Sequence, residues 1–274
     1  MAIEFSRNVT FGQYIDTRSA IHRLDPRTKL LCTAGLMLAL LASGSFVSAG
    51  VVVVALAIAI GVAHIPVGYM LRGLRLLVGT MLVLFCFQVL FYPTEGAQVL
   101  WRWGWLAVTW EGLRLGIITL LRVVLLYTLV TTLMLTTTLM DLADGLEVML
   151  APLARLRIPV NELVMTLVIA LKFVPLLVGE VERLVKAQAA RGQGIDTGGL
   201  LGRARALGGI LVPLFVGAMA RAEVVATAMD ARCYRGGRGR TKRRVLRLAR
   251  ADWRALAAGA LATAGALAAG WAGL

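Results

Sequence analysis

Apolar runs recur along this chain at close to the length needed to cross a bilayer, and that recurrence constrains the fold more than any motif. Leu30 to Leu41, Phe46 to Ala63, Leu74 to Tyr92 and Leu113 to Leu135 are each dominated by apolar side chains. A helix needs about 20 such residues to cross the hydrocarbon core. With 59% hydrophobic residues over 274 positions, the chain is too apolar for an ordinary soluble domain. It is expected to be an all-α integral membrane protein. Residues 1–29 carry Arg7, Arg18, Arg23, Arg27 and Lys29 and no apolar core segment, unlike a cleavable signal peptide.

Lys and Arg flank these runs unevenly, and the basic flanks mark the cytoplasmic side. The amino terminus, the Arg72/Arg75 turn and the region after Leu139 are basic, whereas the Ala42–Ser45 turn is uncharged and the Trp-rich turn carries only Arg102. The amino terminus is therefore expected in the cytoplasm, followed by four transmembrane helices within residues 30–139. Trp101, Trp103, Trp105 and Trp110 fit the membrane–water boundary, where half of each ring is apolar and the indole N–H is satisfied. Arg122 lies inside the fourth run, where an unpaired cation is costly. It is expected to meet a buried partner on another helix.

From residue 140 to 252 the character changes, with charges entering at intervals. Between Val160 and Val185 the apolar positions follow a helical stripe, yet Lys172 sits in its middle. Such a helix is expected to lie against the cytoplasmic face of the bilayer rather than cross it. A second one is expected from about Gly202 to Arg232. Residues 253–274 close the chain with an Ala- and Gly-rich run, long enough to cross and suited to close helix packing.

The net charge of +14 concentrates between Arg232 and Arg254, where Asp252 is the only acid. In a membrane protein such a segment marks the cytoplasmic side and touches anionic lipid headgroups. Nucleic acid is the other basic-patch partner, but one Tyr and no periodic aromatics offer no stacking platform. Cys32, Cys86 and Cys233 are isolated, and His22 and His64 lie far apart, so no metal is expected. Asp141, Asp144 and Glu147 suit the first turns of a helix better than a catalytic centre.

Two stretches match each other. Val174-Pro175-Leu-Leu-Val-Gly179 leads to Ala187-Gln188-Ala-Ala190-Arg191-Gly192, and Val212-Pro213-Leu-Phe-Val-Gly217 leads to Ala228-Met-Asp-Ala231-Arg232-Cys233. An arginine in a last helical turn followed by a small residue is, singly, an ordinary helix end. Two copies with alanine-lined tips point instead to a pair of plugs, each able to enter a narrow groove and give a bidentate hydrogen bond to a carboxylate. The chain has no Gly-x-x-x-x-Gly-Lys-[Ser/Thr] loop, so it holds no ATP in the P-loop manner.

These residues resemble the transmembrane T component of energy-coupling-factor (ECF) transporters. The likeness opens with Ser19-Ala-Ile-His22-Arg-Leu-Asp25-Pro26-Arg27-Thr-Lys29. It continues through Asp144-Gly-Leu-Glu147 to Pro152, Ile158-Pro159 and Ala170-Leu-Lys-Phe173-Val-Pro175, then through the two arginine motifs to Gly239-Arg240-Thr241. The resemblance implies that Ala190, Arg191, Gly192, Ala231, Arg232 and Cys233 form two ATPase-coupling tips. It also implies that Pro175, Glu180, Gln188, Pro213 and Glu223 support the coupling helices. The implied partners are two cytoplasmic ABC-type ATPases and a membrane-embedded substrate-binding S component for a vitamin or other micronutrient, all in a prokaryotic cytoplasmic membrane. ATP and Mg belong to the ATPases, and the chain itself is expected to bind no cofactor and to be no enzyme. Cys233 departs from the family's usual Gly or Ser, and Leu139 replaces a proline at the start of the first coupling helix. A stand-alone secondary transporter or permease is the alternative, but no pair of broken membrane helices recurs in two halves.

Overall fold

The computed structural model describes residues 19–91, 99–103, 106–152, 159–191, 200–236 and 248–271. Their elements are α1 (Pro26–Ala42), α2 (Phe46–Ala63), α3 (Val67–Leu90), β1 (Val99–Trp103), β2 (Leu106–Thr109), α4 (Trp110–Thr136), α5 (Leu139–Leu150), α6 (Val160–Ala190), α7 (Leu200–Ala231) and α8 (Arg250–Trp271). Helix starts follow local side-chain chemistry. Asp25 caps α1 and Pro26 occupies its first turn, Ser45 caps α2, and Thr109 caps α4. At α5, Thr138 takes over from the expected proline: its hydroxyl accepts from the Asp141 amide at 3.1 Å and donates to the Asp141 carboxylate at 2.8 Å.

The described residues divide into two units, one drawn from Leu146–Val245 and the other from Tyr14–Gly145 with Leu246–Leu274. In the second and larger unit, Leu36, Ala39 and Leu40 of α1 pack with Val52 and Leu56 of α2, Leu125 and Leu129 of α4, and Ala266 of α8. Lipid tails are as apolar as leucine, so helices here associate through close packing and hydrogen bonds rather than by escaping water. The α1–α8 contact shows both. A Cβ on Gly259 would stand 2.5 Å from Cys32 Sγ, and one on Gly270 would collide with Ser43. Ser43 Oγ donates to Ala266 O at 3.3 Å across the same contact. The small residues of the closing run thus let two helices approach as expected.

Arg122 has the partner expected of it. Its Nη2 donates to Ser43 O at 2.7 Å, closing a carbonyl at the C-cap of α1, where the helix dipole is negative. A polar knot gathers at the opposite end of α1. Lys29, 8% exposed, donates to Thr136 O at 2.8 Å and His22 O at 3.2 Å. Asp252, 3% exposed, accepts from the amides of Asp25 at 2.8 Å and Ala249 at 2.7 Å. Burial lowers the Lys29 ammonium to about 8, with Asp141, Asp252 and Asp25 opposing that shift.

Two expectations change in detail. The Trp-rich turn contains an antiparallel hairpin that pairs Trp101 with Val108, Arg102 with Ala107 and Trp103 with Leu106; Trp105 lies outside the described residues. Among the described residues, five stretches are long and apolar enough to cross a membrane: Phe46–Ala63, Gly73–Leu90, Trp110–Thr136, Val160–Ala190 and Leu207–Ala231. The chain is therefore a multi-pass helical membrane protein. By this measure α1 is too short at 17 residues, the Ala- and Gly-rich α8 is not among the five, and both long helices of the smaller unit qualify.

Candidate functional site

The smaller unit holds both arginine tips, on α6 and α7. Each helix carries an internal proline, Pro175 and Pro213, both exposed, which removes one backbone hydrogen bond from the helix. Without an N–H on Pro213, the carbonyl four residues earlier loses its helical donor. That carbonyl belongs to Gly209, and Gln188 of α6 supplies the replacement: its Nε2 donates to Gly209 O at 3.0 Å. A second link lies further along. Glu180 Oε2 accepts from Arg221 Nη2 and from Arg183 Nη2, both at 2.7 Å. A third approach brings Gly236 beside Glu162, whose Oε1 would stand 3.3 Å from an added Cβ.

These contacts fix the relative direction of the two helices. Residues 162, 180 and 188 of the first meet 236, 221 and 209 of the second, so α6 and α7 run antiparallel. Arg191 follows Gln188 at one end of the pair, and Arg232 precedes Gly236 at the other. The 26 residues from Glu162 to Gln188 (188 − 162) rise about 39 Å at the usual helical pitch, so the tips stand at roughly that separation.

Both tips are open. Ala190, Arg191, Ala231, Arg232 and Cys233 are exposed; Gly192 lies outside the described residues. Arg191 is the C-cap of α6, with its N–H to Ala187 O at 3.3 Å and Gln188 O at 3.1 Å. At α7 the chain reverses more sharply. The Tyr234 amide donates to Met229 O at 3.0 Å and the Cys233 amide to Asp230 O at 2.9 Å. That hydrogen-bond pair is a Schellman ending, with Cys233 in the left-handed position at φ 55° that glycine fills at least cost. Each arginine is thus held at a helix end with its side chain exposed and in no ion pair among the described residues, placed for a charge-assisted bidentate contact.

Of the supporting residues, Gln188 and Glu180 share in the α6–α7 contact, while Pro175, Pro213 and Glu223 are exposed. Arg221 and Arg183 had not been singled out. Register carried the missing signal for Arg221. It stands 11 residues before Arg232 (232 − 221), as Glu180 stands 11 before Arg191 (191 − 180), so opposite charges occupy equivalent places relative to the two tips, though not relative to the prolines, which are 38 apart (213 − 175). Gly239-Arg240-Thr241 and the basic residues 238–247 lie outside the described residues. Among those described, no group of His, Cys, Asp and Glu is placed to hold a metal.

Residues 17–243 match the family described as Cobalt transport protein. The chain is also similar to curated proteins named energy-coupling factor transporter transmembrane protein. The one from Ruminiclostridium cellulolyticum is 38% identical over 246 residues, 90% of this chain and 91% of its own length. That from Thermosediminibacter oceani is 40% identical over 264 residues, covering 95% and 97%. The Thermanaerovibrio acidaminovorans protein is 39% identical over 268 residues, 97% of each chain.

Proposed function

This chain belongs to the family of energy-coupling factor transporter transmembrane proteins, and on that premise we propose that its two arginine tips each engage one of two cytoplasmic ABC-type ATPases. The chain is the coupling subunit of an importer and catalyses no reaction itself. ATP and Mg are handled by the ATPases, and a separate S component in the membrane carries a vitamin or other micronutrient. When the ATPases close and open on nucleotide, a tip seated in each is carried along. The α6–α7 pair converts that motion into reorientation of the S component.

One observation carries this reading: the tips are exposed and sit at opposite ends of one antiparallel helix pair. A single docking surface would be served by two cations side by side. Two cations about 39 Å apart, by the helical rise, serve two separate sockets. The Gln188 bond ties the two helices together, occupying a carbonyl that Pro213 leaves open.

Placement in the bilayer follows from charge. We place four spans within residues 30–139, drawn from α1–α4, and one within 253–274, drawn from α8, with the amino terminus in the cytoplasm. The region 140–252 then lies along the cytoplasmic face. Lys172 is exposed midway along α6, and Arg221 and Glu223 fall within α7; charges at those depths are costly inside hydrocarbon but natural at the interface. The two helices remain apolar because one face of each meets membrane and S component.

Co-purification from membranes tests the assignment. Arg191→Glu combined with Arg232→Glu is expected to abolish ATPase capture and uptake while membrane insertion stays intact, since each reversal sets two like charges against one another in a desolvated socket. Undiminished ATPase capture by that double variant rejects the role given to the tips.

A further inference from the structure

Within the larger unit, a groove of about 610 Å³ runs between α1, α2, α4 and α8. Leu36, Leu56 and Leu129 form its floor and are buried, whereas Val54, Ile58 and Val62 along its rim are 59%, 61% and 44% exposed. The walls are almost wholly apolar except at one end. There Lys29 and Arg254 line the groove from the first turns of α1 and α8, beside Thr28, a residue 1% exposed whose hydroxyl has no hydrogen-bond partner. Both helices begin at this end, and a helix N-terminus favours an anion.

Asp141, Asp252 and Asp25 stand close enough to Lys29 to offset its charge, so the cation left for an anion at this end is Arg254. Asp25 and Asp252 accept from the backbone amides of Arg27, Asp25 and Ala249, and neither lines the groove. Arg254 is exposed and has no ion pair among the described residues. The groove's dimensions narrow the choice of occupant. Its α8 wall runs from Ala251 to Ala262, a rise of about 16 Å over 11 residues (262 − 251). One leaflet of a hydrocarbon core is about 15 Å deep.

We propose that this groove is a binding site for an anionic phospholipid of the adjoining leaflet. One acyl chain lies along Leu36, Ile58 and Leu129, and the phosphate sits against Arg254 at the groove's basic end. A chain already surrounded by lipid gains no hydrophobic free energy on entering, so selectivity rests on the headgroup. A basic residue at an anionic surface contributes about fivefold in binding, the equivalent of about 1 kcal/mol. The site is independent of the arginine tips, and ATPase capture does not report on it.

Native mass spectrometry of the full chain released from vesicles of equal phosphatidylglycerol and phosphatidylcholine tests the site. Phosphatidylglycerol is expected to be retained in preference, with Arg254→Gln lowering its retention about fivefold. Ala258→Phe, at an exposed α8 position on the groove wall, is expected to displace it while the melting temperature holds. Equal retention of the two lipids, or parental retention by Arg254→Gln, overturns the proposal. A photo-crosslinking side chain at Ile58 identifies the occupant in cells: a phospholipid adduct supports the site, and an adduct with another protein or with residues 1–18 of this chain overturns it.

Discussion

Cys233 is where one residue's chemistry meets a backbone requirement. The second tip ends in a Schellman motif with φ 55° at Cys233, a conformation whose Cβ contact costs about 1–2 kcal/mol for any residue but glycine. Cys233→Gly is therefore expected to stabilise the α7 ending by about 0.5–1 kcal/mol after the added chain freedom of glycine is subtracted. Slower amide exchange at Cys233 and Tyr234 is the readout, and unchanged exchange contradicts the strain. The departure from glycine was visible in the sequence, but its backbone consequence was not, because residue identity does not report φ. Arg122 behaved differently. A cation inside an apolar run has so few affordable environments that a buried partner could be anticipated, although only the fold could supply Ser43 O as its acceptor.

The pairing of α6 with α7 rests on two contacts of unequal weight. The Glu180–Arg221 pair is partly solvated, with side chains 24% and 31% exposed, and such pairs contribute about 0–1 kcal/mol. The Gln188–Gly209 bond adds about 1 kcal/mol, because Pro213 cannot bond that carbonyl and no other helical donor takes it over. Gln188→Ala should accordingly speed amide exchange around residues 209–213. Adding Pro213→Ala should restore much of the protection by returning an N–H to the helix. Equal exchange in Gln188→Ala and the parent contradicts the tie. The existence of both helices was legible from periodicity, their ends only approximately, and α2 matches its expected bounds of Phe46 to Ala63. The antiparallel register was not, since it depends on which carbonyl each proline frees and which side chain reaches it.

At the scale of the molecule, the polar knot at Lys29 joins the segment before α1, the end of α4 and the start of α8. Lys29 lies just ahead of the first span, and its folded ammonium titrates near 8 rather than 10.5. Below pH 8 the unfolded chain and the folded chain both hold that proton, but the fold does so against desolvation, so its full penalty applies there. The penalty lifts between about 8 and 10.5. The melting temperature of the parent minus that of Lys29→Met is expected to rise over this window and to be flat below it. A flat difference throughout contradicts the burial. Hydropathy made the membrane class legible at once, yet it could not rank spans. The smaller unit's helices are about as apolar as α3 and α4, while α1 and α8 meet through glycine-mediated contact. Charge at mid-helix and the spread of the two tips are the grounds on which the proposed roles differ where hydropathy merges them. Photo-crosslinkers placed at both 191 and 232 in the assembled transporter test this division most directly. The account predicts a product whose mass is one copy of this chain plus two ATPase subunits, and a double-labelled product carrying one ATPase or none contradicts it.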